Sequence, residues 1–322
     1  MTTDALSDVL KTVRLTGAVF FDVVAKAPWV AESPQRDLIL PKILPGGGHL
    51  IAYHVLTEGR CFANIIGQEP VAIEAGEVIV FTKCDPHVLS SSPGMRTDTA
   101  PAEALNATTN SQLPFTINLG DEGPISAKVV CGYLACDARP FNPLLDNLPP
   151  VIRARDSEGD ETPWLGQFIR LATMESTDKR AGGESVLAKL SELMFIEVVR
   201  RHLANMPPEQ AGWLAGLRDP FVGKALSLLH ARPERDWTIE MLGKDVGLSR
   251  SVLAERFADL VGIPPMQYLA KWRMQIASGL LNGGDTNIAT VAAEIGYASE
   301  AAFSRAFKKM VGVPPSDWRR RA

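Results

Sequence analysis

The sequence has few cysteines and no long apolar run, and each shortage excludes a class of protein. Four cysteines in 322 residues are too few for a secreted disulfide framework, and they lack the paired CxxC spacing of a zinc ribbon. No apolar run reaches the roughly 18 to 20 residues of a membrane span, and Asp4 and Asp8 stand where a secretory signal has basic and then apolar residues. We therefore expect a cytoplasmic protein with reduced thiols, and the length predicts about two domains or slightly more.

The net charge of −4 conceals an uneven distribution. Residues 1–219 carry 19 basic and 27 acidic side chains, whereas residues 220–322 carry 14 basic and 10 acidic ones. The basic part ends in Trp318 followed by three arginines, a run that suits phosphate groups. Two interpretations stay open: a nucleic-acid partner, or a basic tail that only keeps the terminus solvated.

The first 150 residues have the pattern of short strands separated by glycine-containing turns. The clearest strands are predicted at 78–81 (VIVF) and 129–136 (VVCGYLAC), which are rich in β-branched and aromatic residues. Residues 90–114 contain almost no large apolar side chain, and we expect them to form a mobile insertion between strands. This part of the chain is therefore predicted to be a β-rich domain.

Beyond the prolines between 140 and 150, the apolar pattern changes to a helical period. Leu187, Leu190, Met194 and Val198 recur at intervals of three and four residues and predict a helix over about 184–205. This stripe can pack within the monomer or against a second subunit, and the pattern leaves both open. We therefore expect a helical linker that is also a possible dimerisation segment, giving a homodimer in the second case.

An internal repeat occupies the last hundred residues. Residues 238–247 (TIEMLGKDVG) align with residues 287–296 (NIATVAAEIG), and from Ser249 onward the second copy follows 50 residues later. In each copy Thr or Asn can cap a short helix, Gly can end it, and Ser can cap a second helix. Each copy is therefore predicted to be a helix-turn-helix, and one continuous helix from Pro264 to about Leu281 is predicted to separate them.

The second helix of each copy has an apolar face and an outward face. The apolar residues, spaced four apart, are Leu253, Phe257, Val261, Phe303, Phe307 and Val311. The candidate base readers on the outward faces are Arg250, Ser251, Ala254, Glu255, Glu300, Ala301, Ser304 and Arg305. The candidate phosphate contacts are Lys308, Lys309, Arg319 and Arg320. Two such helices on a rigid spacer can enter successive major grooves, about 34 Å apart.

These motifs resemble a known DNA-binding domain. Residues 220–322 are similar to the DNA-binding domain of the AraC/XylS family of bacterial transcription regulators, with Gly296-Tyr297, Phe307, Gly312 and Pro314-Pro315 in the family's signature positions. The resemblance implies a sequence-specific regulator of transcription that binds double-stranded DNA and acts with RNA polymerase, and it favours activation over repression.

The same resemblance assigns the base-facing positions. It places Ser251, Ala254 and Glu255 on the first recognition helix, and Glu300, Ala301, Ser304 and Arg305 on the second. Arg305 is expected to contact guanine. Glu255 either accepts a hydrogen bond from cytosine or pairs with a neighbouring arginine.

Residues 71–91 resemble the second motif of cupins, a β-barrel family. Gly76 and His87 fit this motif, although three of its other signature residues are replaced, and His54 lies in the region of the first motif. The resemblance implies a multidomain α+β protein. Its predicted parts are a cupin-like β-barrel sensor at 1–150, a helical linker at 151–219, and an all-α domain with two helix-turn-helix motifs at 220–322.

Several effectors are compatible with such a barrel. One is a small organic ligand. A second is an oxidant, with Cys84 as a thiol of lowered pKa. A third is zinc or another divalent metal held by His54, Cys61, His87 and Cys131. These side chains can also be plain core residues of a protein without an effector. The competing functions are a cupin metalloenzyme with a DNA-binding tail, which needs a complete metal shell, and a purely architectural DNA binder.

Overall fold

The structure is a computed structural model, and it describes residues 4–13, 15–43, 48–97, 115–136, 139–157, 163–178, 180–207, 210–282 and 286–320. The chain forms two compact units. The sheet unit comprises residues 15–136 and 149–204, and the helical unit comprises residues 1–14, 137–148 and 205–322. Segments far apart in the sequence therefore share a unit. Most of the predicted insertion at 90–114 lies outside the described residues.

The sheet unit contains nine strands in its described part. They are β1 (Thr16–Lys26), β2 (Val30–Glu32), β3 (His49–Ile65), β4 (Val71–Glu74), β5 (Val78–Phe81), β6 (His87–Ser90), β7 (Phe115–Leu119), β8 (Ile125–Cys136) and β9 (Val151–Ala154).

The helices of the described residues are α1 (Ala5–Val13), α2 (Arg36–Ile43), α3 (Pro143–Asn147), α4 (Trp164–Asp178), α5 (Gly183–Asn205), α6 (Trp213–Arg218), α7 (Val222–Ala231), α8 (Ile239–Val246), α9 (Arg250–Val261), α10 (Pro265–Asn282), α11 (Ile288–Glu294), α12 (Glu300–Val311) and α13 (Pro315–Arg319). None of these described helices is long and apolar enough to cross a membrane.

The long strand β3 organises the sheet unit. Its first part pairs with β8 and β5, and its last part pairs with β4 and β6. The strand order through β3 is β2-β6-β3-β8-β1-β7, and β1 pairs with β7 in parallel, whereas its pairing with β8 is antiparallel. Buried apolar residues of these strands form one core.

The strands predicted at 78–81 and 129–136 are confirmed as β5 and the C-terminal part of β8. The helix predicted at 184–205 is confirmed as α5. Met194 and Val198 of its apolar stripe are completely buried within the monomer, while Leu193 is 51% exposed. The stripe therefore packs inside the sheet unit, and the helix keeps some apolar surface on another side.

The predicted division at 150 differs from the structure. Strand β9 follows the prolines and pairs antiparallel with β5, with Val151 opposite Phe81. Helices α4 and α5 belong to the sheet unit, and α1 belongs to the helical unit. The expected helical linker at 151–219 is thus not a separate segment, because pairing with β5 and packing on the sheet hold most of it in the sheet unit.

Two helix-turn-helix motifs, α8–α9 and α11–α12, form the core of the helical unit, with α10 between them in sequence. Their predicted caps are confirmed, because Thr238, Ser249, Asn287 and Ser299 each accept a hydrogen bond from a backbone N–H of the helix that follows. Gly247 and Gly296 have φ angles of 90° and 81°, the left-handed conformation expected between the two helices of each motif.

Gly243 makes a close approach that explains its place in the first motif. A Cβ atom there would lie 2.7 Å from the backbone oxygen of Leu248, so a larger residue would push the turn away from α8. The predicted apolar faces are also confirmed at their centres. The completely buried residues of these faces are Leu253, Phe257, Phe303 and Phe307.

Candidate ligand cavity and nucleic-acid interface

The sheet unit encloses a cavity of about 280 Å³. Alternate residues of one strand face the same side of a sheet, and this periodicity directs apolar side chains of β1, β7 and β8 into the cavity. The apolar lining residues include Phe21, Val23, Trp29, Leu89, Ile117, Leu119 and Val129. The polar lining side chains are Glu32, Ser33, His54, His87, Thr97, Cys131 and Tyr133.

Three hydrogen bonds join the polar side chains at one wall of the cavity. His87 Nδ1 lies 2.7 Å from the backbone oxygen of Asp85. His54 Nε2 lies 2.7 Å from His87 Nε2, and His54 Nδ1 lies 2.8 Å from Cys131 Sγ. A carbonyl oxygen only accepts, so His87 Nδ1 carries the proton and a neutral His87 accepts at Nε2. His54 then donates a hydrogen bond from Nε2 to His87 and accepts a hydrogen bond at Nδ1 from the Cys131 thiol.

Burial keeps this hydrogen-bond chain neutral. His87 is completely buried and stacks on Phe81, with ring centroids 3.8 Å apart. Loss of water lowers the pKa of His87 to about 4 and holds the pKa of His54 well below its usual value. The same loss of water raises the pKa of the Cys131 thiol. At neutral pH both imidazoles are therefore uncharged and the thiol is protonated.

The predicted metal ligands do not surround one point. His87 and Cys131 contact different nitrogens of His54, and these two nitrogens point in different directions. A metal ion bound to His54 Nε2 beside His87 would therefore lie on the other side of the imidazole from Cys131, where the Cys131 sulfur could not bind it. Cys61 is buried on β3 opposite Ile73. Within the part of the chain that the structure describes, no group of three or more His, Cys, Asp or Glu side chains is placed to hold a metal ion.

The expectation of a lowered pKa at Cys84 is wrong. Cys84 follows β5 in a tight turn with a φ of 50° and is completely buried. Burial raises the pKa of its thiol to about 12, and the nearby Asp85 adds to the rise. The turn encloses the sulfur instead of presenting it to solvent, so the thiolate that reacts with oxidants is disfavoured.

Glu32 is a polar cavity residue that the sequence motifs did not indicate. Arg96 donates to its carboxylate from Nε at 2.5 Å and from Nη2 at 3.2 Å, and the backbone N–H of Thr97 donates at 3.1 Å. The Arg96 hydrogen bond is the main cause of a lowered Glu32 pKa. These partners lie more than 60 residues away along the chain, so no local pattern could have predicted the pair.

Tyr133 also lines the cavity. It was not among the residues predicted from the sequence, although the alternation of side chains along β8 could have indicated it. It lies two residues after Cys131 and therefore on the same face of the strand. Burial raises the pKa of its hydroxyl, and the nearby side chain of Ser33 opposes this rise to a smaller extent. It is therefore a neutral hydroxyl at the cavity wall.

The two second helices, α9 and α12, present outward faces as predicted. On α9, Ser251 and Glu255 are exposed and Ala254 is half-buried. The corresponding face of α12 has Glu300, Ala301 and Arg305 exposed and Ser304 half-buried. The structure thus places all these residues where a nucleic acid can reach them, while their contacts with bases stay a prediction.

The charged candidate base readers differ in whether they form ion pairs or hydrogen bonds with other side chains. Arg250 forms an exposed ion pair with Glu240 at 2.8 Å. In contrast, the side chains of Glu255 and Arg305 have no hydrogen-bond or ion-pair partner among the described residues. The alternative that Glu255 pairs with a neighbouring arginine is therefore not seen. Arg305 has a guanidinium that is ready for a bidentate contact.

The candidate phosphate contacts also fall into two groups. Lys308 and Lys309 are exposed in the last turn of α12. Arg319 instead donates to the backbone oxygen of Thr286, and Arg320 pairs with Asp317 at 2.5 Å. The two lysines are therefore the candidates that can approach a phosphate without losing an internal partner.

Comparison with known proteins agrees with both units. A cupin family model matches residues 4–204, and a helix-turn-helix domain model matches residues 242–321. AraC-like transcription regulators from Streptomyces lividans and Streptomyces antibioticus are 29% and 30% identical to this chain, over 98% of both chains in each case. The RCS-specific HTH-type transcriptional activator RclR of Escherichia coli is 25% identical over 99% of this chain and 98% of its own length.

Proposed function

This chain belongs to the family of AraC-like transcription regulators that join a cupin domain to a helix-turn-helix domain, and from this membership we propose that a small molecule in its cupin cavity controls its binding to DNA. The observation that carries the proposal is the mainly apolar cavity inside the sheet unit. Such a cavity, with a few polar groups on its wall, is the usual form of a small-molecule site.

The strands that line the cavity continue directly into the helical unit. Strand β1 follows α1 after two residues, and β8 ends just before residues 139–148 of that unit. In the helical unit the backbone N–H of Phe141 donates to Oε1 of Gln275 at 2.9 Å, and Gln275 lies on α10 between the two motifs. A ligand that fits one arrangement of β1 and β8 better shifts the population toward that arrangement, and these connections pass the shift to α10.

The helical unit is proposed to read DNA with both motifs. Arg305 on α12 is the candidate for a bidentate contact to guanine, and Glu255 on α9 for a contact to cytosine N4. Lys308 and Lys309 are the proposed phosphate contacts, which position the protein without specifying sequence. The bound regulator is proposed to activate transcription through RNA polymerase, and the name of the Escherichia coli relative as an activator supports this direction.

A homodimer is proposed through the helices of the sheet unit. Val186 and Leu193 lie seven residues apart on α5 and are 43% and 51% exposed. Leu171 and Met174 of α4 are 49% and 51% exposed. Residues at these spacings share a helix face, so each helix has apolar surface that a second subunit can cover.

Oxidant sensing is the second candidate, and one contact favours it. The Cys131 thiol lines the cavity and donates to His54 Nδ1, which can accept its proton when an oxidant enters. The raised pKa of Cys131 opposes this reaction, which makes a bound organic molecule the better-supported effector. A cupin metalloenzyme has less support, because the candidate metal ligands do not converge and the relatives are transcription regulators.

Selection of bound DNA from a random pool tests the regulator. Purified protein is divided into reduced and mildly oxidised samples at physiological salt, because salt sets the measured affinity. The expected result is a motif with two half-elements about one helical turn apart. A redox-dependent change in that motif supports Cys131 as the sensor. If neither sample enriches a motif, and added cavity ligands do not restore one, sequence-specific regulation is contradicted.

A further inference from the structure

We propose that the cavity selects an uncharged, mainly apolar molecule of about the size of two or three aromatic rings and rejects carboxylates, phosphates and sulfonates. This inference rests on the proposed function, because it names the chemical class of the effector for the same cavity. Three features of the wall carry it: the charges on the wall, the hydrogen-bond donors, and the apolar surface.

The described part of the cavity wall offers no positive charge to an anion. None of the described residues that line it is a lysine or an arginine. Its one carboxylate, Glu32, is fully engaged by Arg96 and by the backbone N–H of Thr97. An anion would therefore lose its water without gaining a counter-ion. A cation gains little either, since Arg96 already balances Glu32.

The two imidazoles have no spare N–H group to offer. The single proton of His54 is donated to His87, and the single proton of His87 is donated to the Asp85 carbonyl. Trp29, on another wall, donates its indole N–H to the Ser126 hydroxyl at 3.0 Å. The N–H donors of these three rings are therefore used inside the protein.

Neutral hydroxyl groups at the described cavity wall are available to the ligand. The hydroxyls of Tyr133 and Ser33 lie at the cavity wall, and a hydroxyl group can both donate and accept. They can orient a neutral alcohol, phenol or carbonyl without a change in charge. The remaining wall favours flat apolar groups, because the rings of Phe21 and Tyr133 meet edge to face with centroids 6.4 Å apart.

Two fluorescent probes with the same aromatic skeleton test this selectivity. N-phenyl-1-naphthylamine is uncharged, and 1-anilinonaphthalene-8-sulfonate adds one sulfonate to it. Titrated into the full-length protein at pH 7, the neutral probe is expected to bind at least about tenfold more tightly at the cavity, since the sulfonate must be buried without a partner. The smaller 1-naphthol is expected to displace the neutral probe, whereas 1-naphthoate is not.

Matched variants locate the binding. Ile117→Trp fills the cavity from β7 and is expected to abolish this binding, whereas Ile125→Trp changes an exposed residue outside the cavity wall and is expected to leave it unchanged. Leu119→Lys places a cation on the half-buried cavity wall and is expected to reverse the preference toward the sulfonate and the naphthoate. Circular dichroism of each variant verifies that it is folded.

The outcomes separate this inference from the proposed function. If the sulfonate or naphthoate binds as tightly as its neutral partner and Ile117→Trp removes that binding, the selectivity is contradicted. When such an anion also changes DNA binding, the sensor proposal survives while the ligand class fails. If no probe binds in a way that Ile117→Trp affects, both the cavity's role and its selectivity are overturned.

Discussion

The hydroxyl of Tyr53 donates a hydrogen bond to the hydroxyl of Ser191, and this bond fastens β3 to α5. The two oxygens are 2.6 Å apart and buried. The direction follows from a second contact, because the Ser191 hydroxyl donates to the backbone oxygen of Leu187 at 2.7 Å. Tyr53 also contacts the backbone of Gly132, where a Cβ atom would lie 2.4 Å from the tyrosine oxygen. The central strand, its neighbour β8 and the long helix therefore meet at Tyr53.

This geometry predicts unequal effects from two conservative substitutions. Ser191→Ala leaves the Tyr53 hydroxyl buried without an acceptor and is expected to destabilise the sheet unit by about 1 to 3 kcal/mol. Tyr53→Phe leaves the Ser191 hydroxyl still donating to Leu187, and its cost is expected to be smaller, at about 1 kcal/mol. Urea unfolding followed by circular dichroism measures both. Equal losses, or a larger loss for Tyr53→Phe, would contradict the assigned direction.

The buried histidines predict a loss of stability in acid. The pKa of His87 is about 4 in the folded chain, against an unfolded value of about 6.5. The unfolded chain therefore takes up its proton first, so stability is complete above about pH 6.5 and falls as the pH drops toward 4. For this residue alone the expected loss between pH 7 and pH 5 is about 2 kcal/mol.

Urea unfolding of the wild type and of His87→Gln at the two pH values checks this effect. His87→Gln is expected to reduce the pH dependence without removing it, because burial also lowers the pKa of His54 and His230. His202→Gln serves as the comparison, because burial also lowers the pKa of this ring but the ring is only half-buried, and we expect a smaller change in the pH dependence. An unchanged pH dependence in His87→Gln would show that His87 takes up protons equally in both states.

The free guanidinium of Arg305 predicts a specific loss of readout. Arg305→Ala is expected to weaken binding to the selected DNA sequence by about 1 to 3 kcal/mol and to relax one base position. Lys309→Ala is the matched control, and we expect it to weaken binding to all sequences similarly. It should also reduce the slope of log affinity against log salt concentration by about one. Selection with each variant measures the difference. An unchanged motif with Arg305→Ala would remove Arg305 from base reading.

The buried thiols predict slow chemical modification. The pKa values of Cys61 and Cys84 are each raised to about 12 by burial, so at pH 8 only about one molecule in ten thousand holds either residue as a thiolate. We expect iodoacetamide to label both residues in urea but not in the native protein within the same time. Mass spectrometry of the digested protein identifies the labelled sites. Rapid native labelling of Cys84 would restore it as a sensor candidate.

The exposed apolar residues of α5 predict the site of self-association. Leu193→Glu places a charge on this surface and is expected to convert a dimer into a monomer at micromolar protein concentration. Met310→Glu is the control, because Met310 is 38% exposed on α12 in the helical unit. Sedimentation velocity measures the species. A wild-type monomer, or a dimer that persists in Leu193→Glu, would contradict the proposed interface.

The helix-turn-helix motifs could be predicted almost completely from the sequence, because their determinants are local. Ser249 and Ser299 cap helices that begin at the next residue, and Gly247 and Gly296 adopt the left-handed conformation at the turns. Each such interaction spans only a few residues, and the same pattern occurs in both copies of the internal repeat. The boundaries of the cupin domain were less predictable, since β9 is held by a strand that lies about 70 residues earlier.

The cavity depends on contacts that no local pattern contains. His54 meets His87 across 33 positions and Cys131 across 77, and only their atomic positions show that the rings join one neutral hydrogen-bond chain instead of a metal shell. Residue type alone likewise suggested a reactive Cys84, whereas burial in the folded turn reverses the shift of its pKa. Caps and helix periods follow from neighbouring residues, while charge states and binding sites follow from which distant groups share a dry environment.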